Sequence, residues 1–143
     1  MLLTADTVVT GAELLRPGWI EVSDGVVAAV GSGAPSGPVD HDLGLATVVP
    51  GFVDTHVHGG AGGGFPSAAG DETAAAVEFH RRHGTTTLVA SLVSAAPADL
   101  VRQVEHLAAE ARAGRITGIH LEGPWLAAER CGAHEPSLLR DPD

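Results

Sequence analysis

Two short stretches of this sequence carry residue types able to hold a cation and activate water. The first is Asp54-Thr55-His56-Val57-His58. Side chains alternate between the faces of a β-strand, so Asp54, His56 and His58 would point one way and Val53, Thr55 and Val57 the other. Two imidazoles on one face at a strand's carboxyl end can grip one metal ion, with Asp54 near enough to support them. A His-x-His pair alone is a weak signal, and a structural role for both histidines is the competing reading. Placement strengthens it, because Pro50-Gly51-Phe52 leads in and the glycine run Gly59 to Gly64 follows.

The second stretch is His120-Leu121-Glu122-Gly123-Pro124-Trp125. Alternation gives His120 and Glu122 one face and turns Ile119 and Leu121 towards the covering helices. A carboxylate buried at a strand end needs a cationic partner, since an unpaired buried charge is very costly. All eight basic residues are Arg, so no local carbamylated lysine can bridge two metals. Glu122 is then the local anion for one ion or for bridging two, with capping of the next helix as its alternative role. Further on, Cys131-Gly132-Ala133-His134-Glu135-Pro136 offers a glycine that lets the backbone approach a ligand. His134 could contact a substrate carbonyl or hydroxyl there, although a loop histidine is by default solvated. A catalytic thiol at Cys131 would need a positioned base; none is visible, so Cys131 is read as a loop residue near bound substrate. Trp125 either lines the site or packs the loop.

The elements that must position these groups fall into two regions. Residues 1–49 read as β structure. Leu2-Leu3 and Val8-Val9 mark a first strand, and Trp19–Val22 and Val26–Val30 flank Ser23-Asp24-Gly25, a strong hairpin signal. Gly31 to Pro38 reads as a loop, and Ala46–Val49 as a short strand. From residue 50 to 143 the rhythm becomes strand, loop, helix. Phe52–His58 is β-like, and Asp71–His83 is helical with Asp71 as N-cap and Gly84 as the stop. Thr85–Ala90 is a strand. Pro97 opens a second helix whose Leu100, Val101, Val104, Leu107, Ala108 and Ala111 share a face and which Gly114 closes. Ile116–Leu121 is a third strand. The fold class is α/β. A (β/α)8 barrel takes roughly 250 residues, so 143 residues supply about its first three strands, and the chain reads as the N-terminal part of a longer protein. A complete small α/β domain is the alternative.

Composition narrows the function classes. Hydrophobic residues make up 44%, which excludes a disordered chain. Eighteen acidic against eight basic residues leave a formal charge of −10, which argues against nucleic acid and against an anionic membrane surface as partners. No apolar run reaches the ~18 residues of a membrane span. A single Cys and the lack of a signal-like start point to a reducing cytoplasm. The glycine run lacks the Gly-Lys-Ser/Thr of a phosphate loop. His80 and His83, three apart on a helix, read as a solvated helix end, and His41 and His106 as surface residues.

Pro50-Gly51-Phe52-Val53-Asp54, the Thr85-Thr86-Thr87 strand opening, and above all His120–Trp125 followed by Gly132–Pro136 resemble the N-acetylglucosamine-6-phosphate deacetylases of the amidohydrolase superfamily. The resemblance implies a small β-sandwich built from both chain ends and a (β/α)8 barrel. It implies hydrolysis of the acetamide of N-acetylglucosamine 6-phosphate, a small-molecule substrate, to glucosamine 6-phosphate and acetate. Glu122 matches the metal-ligand glutamate, while Ala133 (through its backbone) and His134 match positions that contact the sugar and its acetamide. Members with the His56/His58 pair can hold a second ion, so one or two divalent metals, zinc by preference, are implied. The general-acid Asp and further histidine ligands belong to later strands, leaving no general acid or base in this chain. A homodimer is implied for the full-length protein. Two other readings stay open: a different amidohydrolase such as a cyclic-amide hydrolase, and an inactive N-terminal fragment serving only as a folding unit.

Overall fold

The computed structural model describes residues 1–67 and 69–142 and divides into two units, Met1–Pro50 and Gly51–Asp143. The first unit holds β1 (Leu2–Ala5), β2 (Thr7–Val9), β3 (Leu14–Leu15), β4 (Gly18–Ser23), β5 (Val26–Ser32), β6 (His41–Asp42) and β7 (Thr47–Val48). They form two sheets, ordered β5-β4-β1-β6 and β3-β2-β7. The single opening strand expected from Leu2 to Val9 is broken at Asp6, whose N–H leaves the ladder for the Gly44 carbonyl at 2.8 Å. The two halves therefore join different sheets. The Asp24-Gly25 turn forms as expected: both residues take positive φ, 53° and 78°, which the two-residue hairpin requires. β6 escaped the sequence reading because two residues are too short to show alternation. It pairs parallel to β1, with the Thr4 hydroxyl donating to Asp42 Oδ1 at 3.0 Å, and leaves His41 exposed.

The second unit runs β8 (Phe52–Val57), β9 (Gly59–Gly60), β10 (Gly63–Gly64), α1 (Gly70–Arg82), β11 (Thr85–Leu92), α2 (Pro97–Arg112) and β12 (Gly118–Leu121). β8, β11 and β12 form a parallel sheet ordered β12-β11-β8, the alternation of strand and helix expected from residue 50 onwards. The glycine run is a tight antiparallel hairpin, β9–β10, instead of an open loop. His80 on α1 donates from Nε2 to the Gly59 carbonyl at 2.9 Å and so holds the hairpin against the helix.

Asp71 is not the N-cap of α1. Ala69 occupies that position without a side-chain bond, and Asp71 lies in the first turn, where its negative charge still suits the positive end of the helix. On α2, Leu100 and Leu107 are buried, but Val101 is 57% exposed. It lies about 100° round the helix from Leu100, at the edge of a stripe only about that wide. Phe65, Ala76, Leu88, Ala90, Leu92, Leu100, Leu107 and Ile116 make one core between sheet and helices. Burying side chains the size of Leu92 and Leu107 stabilises by roughly 1.5–3 kcal/mol each. No helix among the described residues is long and apolar enough to cross a membrane.

The turn from α2 into β12 is clipped by an ion pair. Arg115 donates from Nη2 to Glu110 Oε1 at 2.7 Å and from Nε to the other oxygen, and Glu110 is only 6% exposed. The guanidinium's hydrogen bonds hold the Glu110 carboxyl below its ordinary value against the upward pull of burial. A lowered folded-state pKa means this contribution is complete above the unfolded value of about 4.3 and is lost as pH falls through the folded one. Glu110→Gln should therefore lower stability at pH 7 by about 1 kcal/mol, modest because half of Arg115 faces water. It should also flatten the loss of stability that urea titrations would record as pH falls below that unfolded value. Equal acid slopes for both proteins would dismiss the ion pair as a source of stability.

Candidate metal centre

β8 and β12 are not neighbours, because β11 runs between them. Strands separated by one other lie about 10 Å apart, yet their side chains meet. His56 Nε2 is 3.0 Å and His58 Nε2 2.9 Å from Glu122 Oε2, and the two imidazole nitrogens are 3.0 Å apart. The middle strand permits this by presenting a small residue. Ser91 lies in register with His120 and is fully buried. Its hydroxyl accepts the Val57 N–H at 3.2 Å and meets His120 Nδ1 at 3.1 Å.

These contacts also decide protonation. His58 Nδ1 lies 3.1 Å from the Ser91 carbonyl, which can only accept, so Nδ1 carries the proton. Its Nε2 lone pair then faces Glu122 and His56, the arrangement a metal-binding histidine needs. Asp54 acts on the strand end and not on a ring: its Oδ1 accepts the His56 backbone N–H at 3.1 Å. His120 is the other motif histidine on this face, and its ring stands edge-on to His56 with centroids 5.0 Å apart.

His56, His58 and Glu122 bring their ligand atoms within 4.8 Å of one another. Bonds of ~2.0–2.1 Å in tetrahedral geometry place neighbouring donors ~3.3 Å apart, so the group fits a zinc-sized cation with two nitrogens and one oxygen. Burial pushes the Glu122 carboxyl up, but its contacts with His56, His134 and His58 outweigh it. The net effect holds the carboxyl below its ordinary value, ready to bind as an anion.

His134 is not solvated: its side chain is 7% exposed, with Nε2 3.5 Å from Glu122 Oε1. Ala133 and Cys131 line the same cavity of about 610 Å³, and so does Arg130. The Cys131 carbonyl accepts the His134 N–H at 3.1 Å. Trp125 instead borders a separate apolar groove with Val101 and Leu121. His83 Nδ1 donates to the Phe79 carbonyl at 2.8 Å, and His106 pairs with buried Thr73 at 3.1 Å; neither joins the cluster. Sequence reasoning missed Ser91, Ser94 and Arg130. An isolated serine in the apolar end of β11 was a usable signal for Ser91, whereas a loop serine such as Ser94 carries none.

Residues 47–142 match the Amidohydrolase family. The chain belongs to that family. Among amidohydrolase relatives, N-acetylglucosamine-6-phosphate deacetylase of Bacillus subtilis is 27% identical over the whole chain, which covers 39% of it. N-acetylgalactosamine-6-phosphate deacetylase of a Shewanella species is 33% identical over 97% of the chain and 38% of its own length. The crystal structure of N-acetyl-D-glucosamine-6-phosphate deacetylase from Mycobacterium smegmatis matches the whole chain at 68% identity and TM-score 0.97, and 38% of that chain is covered. The chain thus spans less than two fifths of these relatives' lengths.

Proposed function

We propose that the full-length amidohydrolase containing this chain removes the acetyl group of N-acetylglucosamine 6-phosphate, giving glucosamine 6-phosphate and acetate. The observation that carries this reading is the cluster of His56, His58 and Glu122 with His134 buried beside it. The 68% identity to a deacetylase acting, by its name, on that sugar phosphate supports the choice of substrate. The parallel strands, with their polar groups at the carboxyl ends, suit the opening third of a (β/α)8 barrel. Residues 1–49 would then contribute to a β-sandwich. Family resemblance further supports a cytoplasmic homodimer with one or two zinc ions.

His56, His58 and Glu122 would hold the cation. When bound, a divalent ion supplies Lewis acidity, which makes water nucleophilic near neutral pH and polarises an amide carbonyl. The chain's own residues do the rest of the work available here. His134 directs an N–H into the cavity, where it would donate to the acetamide oxygen as negative charge grows on it. The Ala133 backbone borders the space left for the sugar, and Cys131 shapes the same loop. Protonating the leaving amine requires an acid, assigned to an Asp on a later strand.

Relatives named for N-acetylgalactosamine 6-phosphate make the epimeric sugar the second reading. Acetate release from both sugar phosphates, with dihydroorotate and hydantoin as controls, decides between the proposals. We expect the highest kcat/KM on N-acetylglucosamine 6-phosphate. Faster turnover of the epimer would reassign the sugar, and ring opening of a cyclic amide without acetate release would overturn the deacetylase reading altogether.

A further inference from the structure

We infer that Ser94 is a positioning residue that fixes which nitrogen of His134 carries the proton, an inference that rests on the deacetylase reading for its catalytic consequence. Ser94 lies in the loop between β11 and α2 and is 5% exposed. Its backbone N–H points at His134 Nδ1, 3.2 Å away, and its hydroxyl oxygen is 2.8 Å from the same nitrogen. A backbone N–H can only donate, so Nδ1 must accept, and the hydroxyl donates to it as well. A neutral imidazole has one ring proton, which is therefore left on Nε2. That N–H faces Glu122 Oε1 at 3.5 Å, longer than a good hydrogen bond of ~2.9 Å. The donor is aimed into the cavity and only loosely engaged, so a ligand oxygen at closer range would take it. The other tautomer would present a lone pair there and repel a developing oxyanion.

Gly123 reserves the space for this arrangement. A Cβ at residue 123 would fall on the Ser94 hydroxyl, and the backbone there has φ +94°, a region that favours glycine. The glycine after Glu122 is thus required twice, for conformation and for room. Ser94 thus stands between the strand end carrying Glu122 and a histidine 40 residues beyond Ser94 in the chain.

The test uses full-length protein labelled with [15N]histidine, whose long-range 1H–15N spectrum separates the Nε2–H and Nδ1–H tautomers. Ser94→Ala keeps the backbone N–H and removes the hydroxyl. The backbone donor remains, so the expected result is a minor Nδ1–H population beside the main Nε2–H form and a fall in kcat of about tenfold, the weight of one neutral hydrogen bond, with KM little changed. Ser94→Thr restores the donor and should recover kcat. In a His134→Ala background, Ser94→Ala should cost nothing more. Additive losses would overturn the inference, as would a pure Nε2–H signal with unchanged kcat in Ser94→Ala. Should the wild type release no acetate, the functional reading fails, while the imidazole spectrum still decides whether Ser94 governs His134.

Discussion

Glu122→Gln should strip the divalent cation from the full-length protein and cut acetate release from N-acetylglucosamine 6-phosphate by at least ~10²-fold. Groups that merely orient a metal ligand typically cost 10–100-fold when removed, so loss of a ligand itself should exceed that range. The substitution preserves shape and removes only the charge. His56 and His58 both point their Nε2 atoms at Glu122 Oε2 within 3.0 Å, so no other carboxylate among the described residues completes this group. A neutral amide oxygen is a poor replacement for an anion held below its ordinary pKa by its neighbours. Metal analysis after dialysis, run beside the acetate assay, checks the result. Full metal content in the variant would remove Glu122 from the centre.

His134→Ala should lower kcat by ~10²–10³-fold, the usual consequence of deleting one oxyanion donor, and leave metal content unchanged. His134 Nε2 stays 3.5 Å from Glu122 Oε1 and outside the donor group, so nothing in its position ties it to the cation. KM should move little, because charge builds on the amide oxygen in the transition state and not in the bound substrate. Metal lost together with activity would make His134 a ligand or a prop for one. Activity retained would leave it a packing residue. The paired variants separate the two tasks of the cavity, since one should empty it of metal and the other only slow it.

The local chemistry of this chain was legible from its sequence. Alternation along β8 and β12 placed His56, His58, His120 and Glu122 on one face, because the pleat obliges residues two apart to point the same way. The Asp24-Gly25 turn and the 3.6-residue spacing of α2 are likewise decided by a few adjacent residues. Adjacency in space was not legible. β11 runs between the two motif strands, and the motifs meet across it only because a serine, fully buried at position 91, leaves room above the middle strand. Nor did spacing reveal the protonation of the histidines. The Ser91 carbonyl sets His58 and the Ser94 N–H sets His134, and both are backbone groups whose direction exists only once the strands are aligned. Periodicity fixes which side chains share a face; which faces converge, and which nitrogen bears the proton, follow from contacts between segments 33 to 66 residues apart.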